Sequence, residues 1–228
     1  MNKKLTAFMG LFFLSACQHN ALITQEPPMT DLPTYVVINN DSQSEELRSV
    51  LRTPAQKIFF PLSPEDQNSL KTLEAKYDAE ENCAGLAAPQ IGIPKQMIVF
   101  EALCSPEIKK WRPDFTQEMP KTIWVNPSYE GIGDDLHEDY EGCFSVADLA
   151  GPVNRFTKIT YKATLPDGTP VAGEAEGFLA RVIQHEVDHI RGTLCIDKVP
   201  EGKLISVSAY REMRAAKMAE EAEGNVKE

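Results

Sequence analysis

His185 and His189 stand four residues apart with Glu186 beside the first, and no other residues in the sequence have types and spacing better suited to chemistry. On an α-helix that spacing places both imidazoles on one face, a turn apart, where they can hold a single metal ion. A carboxylate beside them can take a proton from an attacking water and return it to a leaving nitrogen. The pattern fixes only three positions and also arises by chance. Here it falls within Glu176 to Ile190, where Phe178, Leu179, Val182, Ile183 and Val187 mark a largely apolar and therefore buried helix. Two imidazoles and a carboxylate in such a helix are costly unless something pairs with them.

A hydrolytic metal centre needs a third protein ligand and an open position. The candidates are His19, His137 and Cys143, the last in the run Glu141-Gly142-Cys143-Phe144-Ser145-Val146. A thiolate is a strong ligand for zinc or ferrous iron, and Gly142 lets the backbone approach an ion closely. A zinc peptidase of this helix type would instead take its third ligand downstream, where Glu201 is the main exposed acid.

These residues need elements to position them. Ser63-Pro64-Glu65-Asp66 combines a capping residue, a proline at the first helical position and acids in the first turn. It predicts a helix that carries Leu70, Leu73 and Tyr77 inward and stops near Glu81. The small residues from Cys83 to Gly92 suit close backbone approach, and Gln96 to Phe100, Ile123 to Val125 and Ile159 to Ala163 read as strands. Leu165 to Val171 reads as a turn between two strands, and 206–222 as a C-terminal helix rich in Ala, Glu, Lys, Arg and Met. The middle of the chain is thus mainly β, crossed by one buried helix, an α+β arrangement.

The 228 residues fit one domain with an ordinary core, and a formal net charge of −11 argues against nucleic acid as a partner. The first residues stand apart from that domain. A short basic region, an apolar run from Leu5 to Ala16 and then Leu14-Ser15-Ala16-Cys17 resemble a bacterial lipoprotein signal, cleaved before a cysteine that carries lipid. The expected organisation is a signal peptide over 1–17, a tether over 18–44 with a possible edge strand at Tyr35 to Ile38, and a catalytic domain over 45–228. The expected location is the periplasm, anchored by Cys17 in the outer membrane more than the inner, or the cytoplasm if the signal is not used. Cys83, Cys104, Cys143 and Cys195 show no paired spacing.

The sequence resembles the peptide deformylase family in three runs that occur in the family's order: Cys83 to Gln90, Glu141 to Ser145, and Gln184 to His189. The likeness covers roughly Leu47 to Pro200. It implies a deformylase-like fold of antiparallel or mixed sheets around a central helix carrying the metal motif, with a C-terminal helix. It further implies one ion per chain, Fe2+ with Zn2+, Ni2+ or Co2+ as alternatives, held by Cys143, His185 and His189. The implied activity is removal of the formyl group from N-formylmethionyl peptides by a monomer. Glu186 would be general acid and base, while Gln90 and the Phe144 N–H would stabilise the developing oxyanion. Gly85, Gly142, Cys83 and Phe144 would line the substrate, Asp188 would orient a ligand or nearby backbone, and Glu141 with Arg155 would pair to fix the cysteine loop or lie solvated at the surface.

The chain departs from that pattern where substrate is read. Cys83 stands where the first run normally has glycine, Phe144 where leucine is usual, and Ala147 and Ala150 where proline and a peptide-holding arginine are often found. These changes favour hydrolytic chemistry over a particular substrate, and leave two other readings: a lipoprotein that binds formyl-peptides without cleaving them, or a hydrolase of another small N-acyl compound.

Overall fold

The structure is a computed structural model that describes residues 32–224 apart from 82, 106, 107, 110, 111 and 113. Its layering follows from alternation along one strand. Strand β2 (Met97–Ala102) is buried on both faces, because successive side chains of a strand point opposite ways. Met97 and Val99 meet Leu70, Leu73 and Tyr77 of a helix over Pro64–Asp78, while Ile98 and Phe100 meet Leu179 and Ile183 of a helix over Gly177–Ile190. Each fully buried aliphatic or aromatic side chain contributes about 1.5–3 kcal/mol to this arrangement.

In chain order the helices are α1 (Glu45–Ser49), α2 (Pro64–Asp78), α3 (Gly177–Ile190) and α4 (Val207–Gly224). The five-stranded sheet runs β1 (Gly85–Ala87), β2, β3 (Met119–Gly131), β6 (Lys158–Thr164) and β7 (Pro170–Glu176). A second sheet holds β4 (Leu136–Cys143), β5 (Val146–Phe156) and β8 (Ile205–Ser206). Every pairing of these strands is antiparallel, and α3 packs across the five-stranded sheet, so the α+β expectation holds.

The caps explain why the helices start where they do. Ser63 accepts from the Asp66 N–H at 3.1 Å and Asp66 returns the bond, closing the capping box of α2, which ends at Asp78 rather than Glu81. Helix α3 starts on Gly177, in the left-handed region at φ +58°. A Cβ there would fall 2.1 Å from the Asp114 carbonyl oxygen, so only glycine lets the chain turn from β7 into α3.

The tether expectation needs correction. Residues 1–31, including Cys17, lie outside the described residues, but within the expected tether Tyr35 to Ile38 packs against the domain. Val36 is buried in a third cluster with Leu51, Val146 and Leu194. Tyr35 to Ile38 forms no strand. Val36 N–H donates to the Gln90 carbonyl at 2.8 Å and Ile38 N–H to the Ser145 carbonyl at 3.0 Å, two separate segments that cannot make one ladder.

Candidate active site

Helix α3 and the β4–β5 hairpin meet to form the centre. The hairpin turns on Phe144 and Ser145 between the paired Cys143 and Val146, which presents the Cys143 thiol towards α3. One donor atom from each of Cys143, His185 and His189 lies within 4.8 Å of the others, with Cys143 Sγ 3.3 Å from His189 Nε2. His19 lies outside the described residues, His137 is exposed on β4, and Glu201 is exposed after Pro200 and belongs to no donor cluster. Among the described candidates, only Cys143 joins the two helix histidines.

This donor set suits a metal ion. One soft thiol and two imidazoles are the donors that zinc and ferrous iron share, and Glu186 beside them is a buried carboxylate whose Oε2 has no hydrogen-bond partner. Burial, the largest influence, pushes the Glu186 carboxyl up to about 7, which suits a group that must both take and give a proton near neutrality. Burial pulls His189 well down and leaves it neutral, as a ligand must be. Burial also opposes charge on His185, but the hydrogen bond and charge of Glu141 outweigh it and hold His185 up, to about 9, so His185 must release a proton when it takes an ion.

Glu141 supports the centre. Its Oε2 lies 2.9 Å from His185 Nδ1, which leaves Nε2 to face the cluster. The same carboxylate takes two bonds from Arg155, at 2.9 and 2.8 Å, and one from Arg181 at 2.7 Å. All three residues are buried, so the Glu141–Arg155 pair is internal, not solvated. Although burial opposes it, this surplus of cationic partners holds the Glu141 carboxyl well below the usual range. Asp188 extends the network. It pairs with Arg155, accepts from Tyr129 OH at 3.1 Å and lies 3.2 Å from Lys198 Nζ, so it touches the arginine behind the histidines and not a ligand itself.

Gln90 is oriented by its own turn. Its Oε1 accepts from the Ala87 N–H at 2.8 Å, which turns the amide nitrogen to Cys143 Sγ at 3.3 Å, facing the centre. Gly85 is glycine because of Glu186: a Cβ there would lie 2.6 Å from Glu186 Oε1. Gly142 has no comparable need, since a Cβ would meet nothing closer than the Leu149 carbonyl oxygen at 3.9 Å.

A cavity of about 540 Å3 opens over the centre, lined among others by Cys83, Gly85, Phe144, Ala147, His185 and Glu186. Cys83 does not block it outright, because its thiol turns back to the Gly85 carbonyl at 3.1 Å. Ala150 is buried in β5 and absent from that lining. The Phe144 ring is 40 % exposed and stacks on Tyr35 at 4.6 Å and 11°, with Lys76 Nζ 4.4 Å from the Tyr35 ring centre on the same aromatic assembly. Sequence alone did not mark Arg181, and it marked Tyr35, Gln184 and Cys195 without a role at the site. Gln184, inside the third run, ties α3 to both backbone groups of Phe156 at 3.0 and 2.9 Å. Cys195 lies buried behind the centre, within reach of Glu141 and His185, at a position with no sequence motif to mark it.

The polypeptide deformylase family model matches residues 40–204. Peptide deformylase 2 of Rickettsia conorii is 52 % identical over 190 residues, covering 83 % of this chain and 94 % of that protein. Peptide deformylase 1 of Prochlorococcus marinus is 41 % identical over 159 residues, 69 % of this chain and 76 % of that one. Among solved structures, the class I type b peptide deformylase of Acinetobacter baumannii with Met-Ala-Ser bound aligns at TM-score 0.62 and 27 % identity, covering 75 % of this chain and all of that one. A Synechococcus elongatus peptide deformylase in complex with actinonin aligns at TM-score 0.56 and 28 % identity, covering 79 % and 84 %. On the sequence match and the geometry together, this chain belongs to the polypeptide deformylase family and is a metal-dependent hydrolase.

Proposed function

We propose that this chain hydrolyses the N-formyl group of formylmethionyl peptides with Cys143, His185 and His189 holding one Fe2+, for which Zn2+, Ni2+ or Co2+ can substitute. The observation that carries the reading is the convergence, in one cavity, of that donor set with an unpartnered buried carboxylate and an amide nitrogen held ready to donate. Related deformylases bind Met-Ala-Ser and actinonin, which supports a peptide in the same cleft here.

A bound ion supplies Lewis acidity, which lowers the pKa of water and polarises the formyl carbonyl. Glu186 takes the proton from the attacking water and passes it to the peptide nitrogen as the C–N bond breaks, releasing formate and a free amino terminus. Gln90 Nε2 and the Phe144 N–H donate to the formyl oxygen as it becomes negative. Gly85 lets the Glu186 carboxylate stand close to the strand, and Cys83, Gly142 and Phe144 form the walls against which the peptide lies.

The N-terminal residues support export, with cleavage before Cys17, lipid on that cysteine and the described domain held at the periplasmic face of the outer membrane as a monomer. The test of this placement is metabolic labelling with a fatty acid beside Cys17→Ser. The test of activity is formate release from formyl-Met-Ala-Ser by the full chain, loaded anaerobically with iron or nickel, beside Glu186→Ala. Loss of turnover by a factor of about 10²–10⁴ with metal content unchanged is expected. Equal turnover by the two proteins, or none by the metallated parent, overturns the reading.

A further inference from the structure

The cavity over Glu186 runs into a second cavity of about 860 Å3, and Cys83, Ala84, Arg112, Phe178 and Arg211 line both. The cations at this junction differ. Arg112 is engaged by Asp114 and Asp139, and Arg181, deeper in the first cavity, by Glu141 and the carbonyls of Val153 and His137. Arg211, exposed on the first turns of α4, has no hydrogen bond, ion pair or ring contact among the described residues. Every other arginine among the described residues has a partner. Val207, the first residue of α4, also lines the first cavity, so α4 begins at its edge.

The acids near Arg211 do not cancel it. In the second cavity Asp78 is paired with Lys121 and Glu80 with Lys76, and Glu101 accepts the Lys121 N–H. Asp148, on the β5 side of the first cavity, makes no ion pair with Arg211. A guanidinium left unpaired at a cleft junction, in a chain of net charge −11, is placed to receive an anion that the rest of the surface repels.

We infer that Arg211 binds the C-terminal carboxylate of the substrate, so that the preferred substrates are short N-formylated peptides with a free C-terminus. This rests on the deformylase reading, which fixes the formyl carbon beside Glu186. Glu186 and Arg211 line the same cavity, and an extended peptide advances about 3.4 Å per residue, so within that cavity only a peptide of few residues can place its terminal carboxylate at Arg211 while its formyl group lies beside Glu186. Formylation removes the positive amino terminus, and such a peptide carries one backbone charge, the carboxylate that a guanidinium's paired N–H groups fit.

Binding is to be measured by calorimetry on the full chain carrying Glu186→Gln, with formyl-Met-Ala and formyl-Met-Ala-Ser each as free acid and as C-terminal amide. Turnover of the same four compounds is measured on the parent chain. The acid is expected to bind about five-fold more tightly than the amide, a difference of about 1 kcal/mol. Arg211→Met equalises the two while leaving amide affinity unchanged, and Arg211→Glu reverses the order. Equal binding of acid and amide, or an acid preference that survives Arg211→Met, overturns the inference. Acid preference in binding without formate release supports it while removing the deformylase reading on which turnover depends.

Discussion

On the α3 side of the cleft, His189 and Glu186 are 1 % and 3 % exposed, and the network behind His185 ends in two arginines and a second acid. On the facing rim, Phe144 is 40 % exposed and held by a stacked ring, while Asp148 and Arg211 are exposed. In the first region burial makes every polar atom expensive unless it is paired, so Glu141, Arg155, Arg181 and Asp188 are each fixed by others, and the orphaned Glu186 Oε2 and His189 Nδ1 stand out against them. In the second, water competes for every contact, so residue identity is set by what enters the cleft. Substitutions should therefore act all or none on the α3 side and by degrees at the rim.

The largest effect expected is at Cys143. Cys143→Ala removes the thiol from a three-donor cluster, and metal analysis after dialysis should show loss of the bound ion together with turnover. Retention of a full equivalent of metal would show that the two histidines suffice and would break the contrast. Next is the support. Arg155→Met leaves Glu141 and Asp188 buried with fewer partners, and breaking a buried pair in this way costs about 3–5 kcal/mol, readable by urea unfolding. The same region predicts acid sensitivity. Because the Glu141 carboxyl is held below the ordinary range in the folded state, it contributes stability that is present above pH ~4.5 and lost as pH falls further. Glu141→Gln should flatten that part of the stability profile.

The difference between the two regions also decides what could be read from sequence. The helix repeat made His185, Glu186 and His189 legible, and the three runs carried Cys143 and Gln90 with them, because in a buried site spacing and identity are tied to geometry. The start of α2 at Ser63 and the strand at Gln96 to Phe100 were legible for the same reason: the local pattern and the packing agree. Arg181 was not, because an arginine four residues before His185 on an apolar helix has no local signature until β4 folds over it and presents Glu141. Nor was the strap at Tyr35 to Ile38. This apolar run reads as a possible short strand within a linker, and its two backbone bonds instead reach residues 90 and 145, far along the chain.

Gly85 lies between the regions. An alanine methyl there would press on Glu186 Oε1, Cγ and Cδ at 2.6–2.8 Å, so the whole side chain from Cγ outward must shift, and turnover should fall about 100-fold through misplacement of the carboxylate while the fold changes less. Thermal unfolding and formate release measured on the same Gly85→Ala preparation separate the two. A fall in both together would mean that strand β1 itself had moved.

The smallest effect, and the sharpest on the rim, is at the stack of Tyr35 on Phe144. Ring pairs of this kind add about 0.5–1.5 kcal/mol beyond their burial, so Tyr35→Ala should destabilise the protein only modestly. Its consequence for catalysis comes through the turn. The Ser145 carbonyl is held by the Ile38 N–H and the Gln90 carbonyl by the Val36 N–H, so the strap grips Gln90, a proposed donor, and the residue that follows Phe144, the other, from their backbone sides. Loosening the strap should lower kcat by a few-fold with KM little changed, because the donors act mainly on charge that develops in the transition state. Tyr35→Phe, which keeps the ring, should restore kcat. A loss carried by KM alone would instead place Tyr35 among the walls of the peptide cleft, with no part in holding the donors.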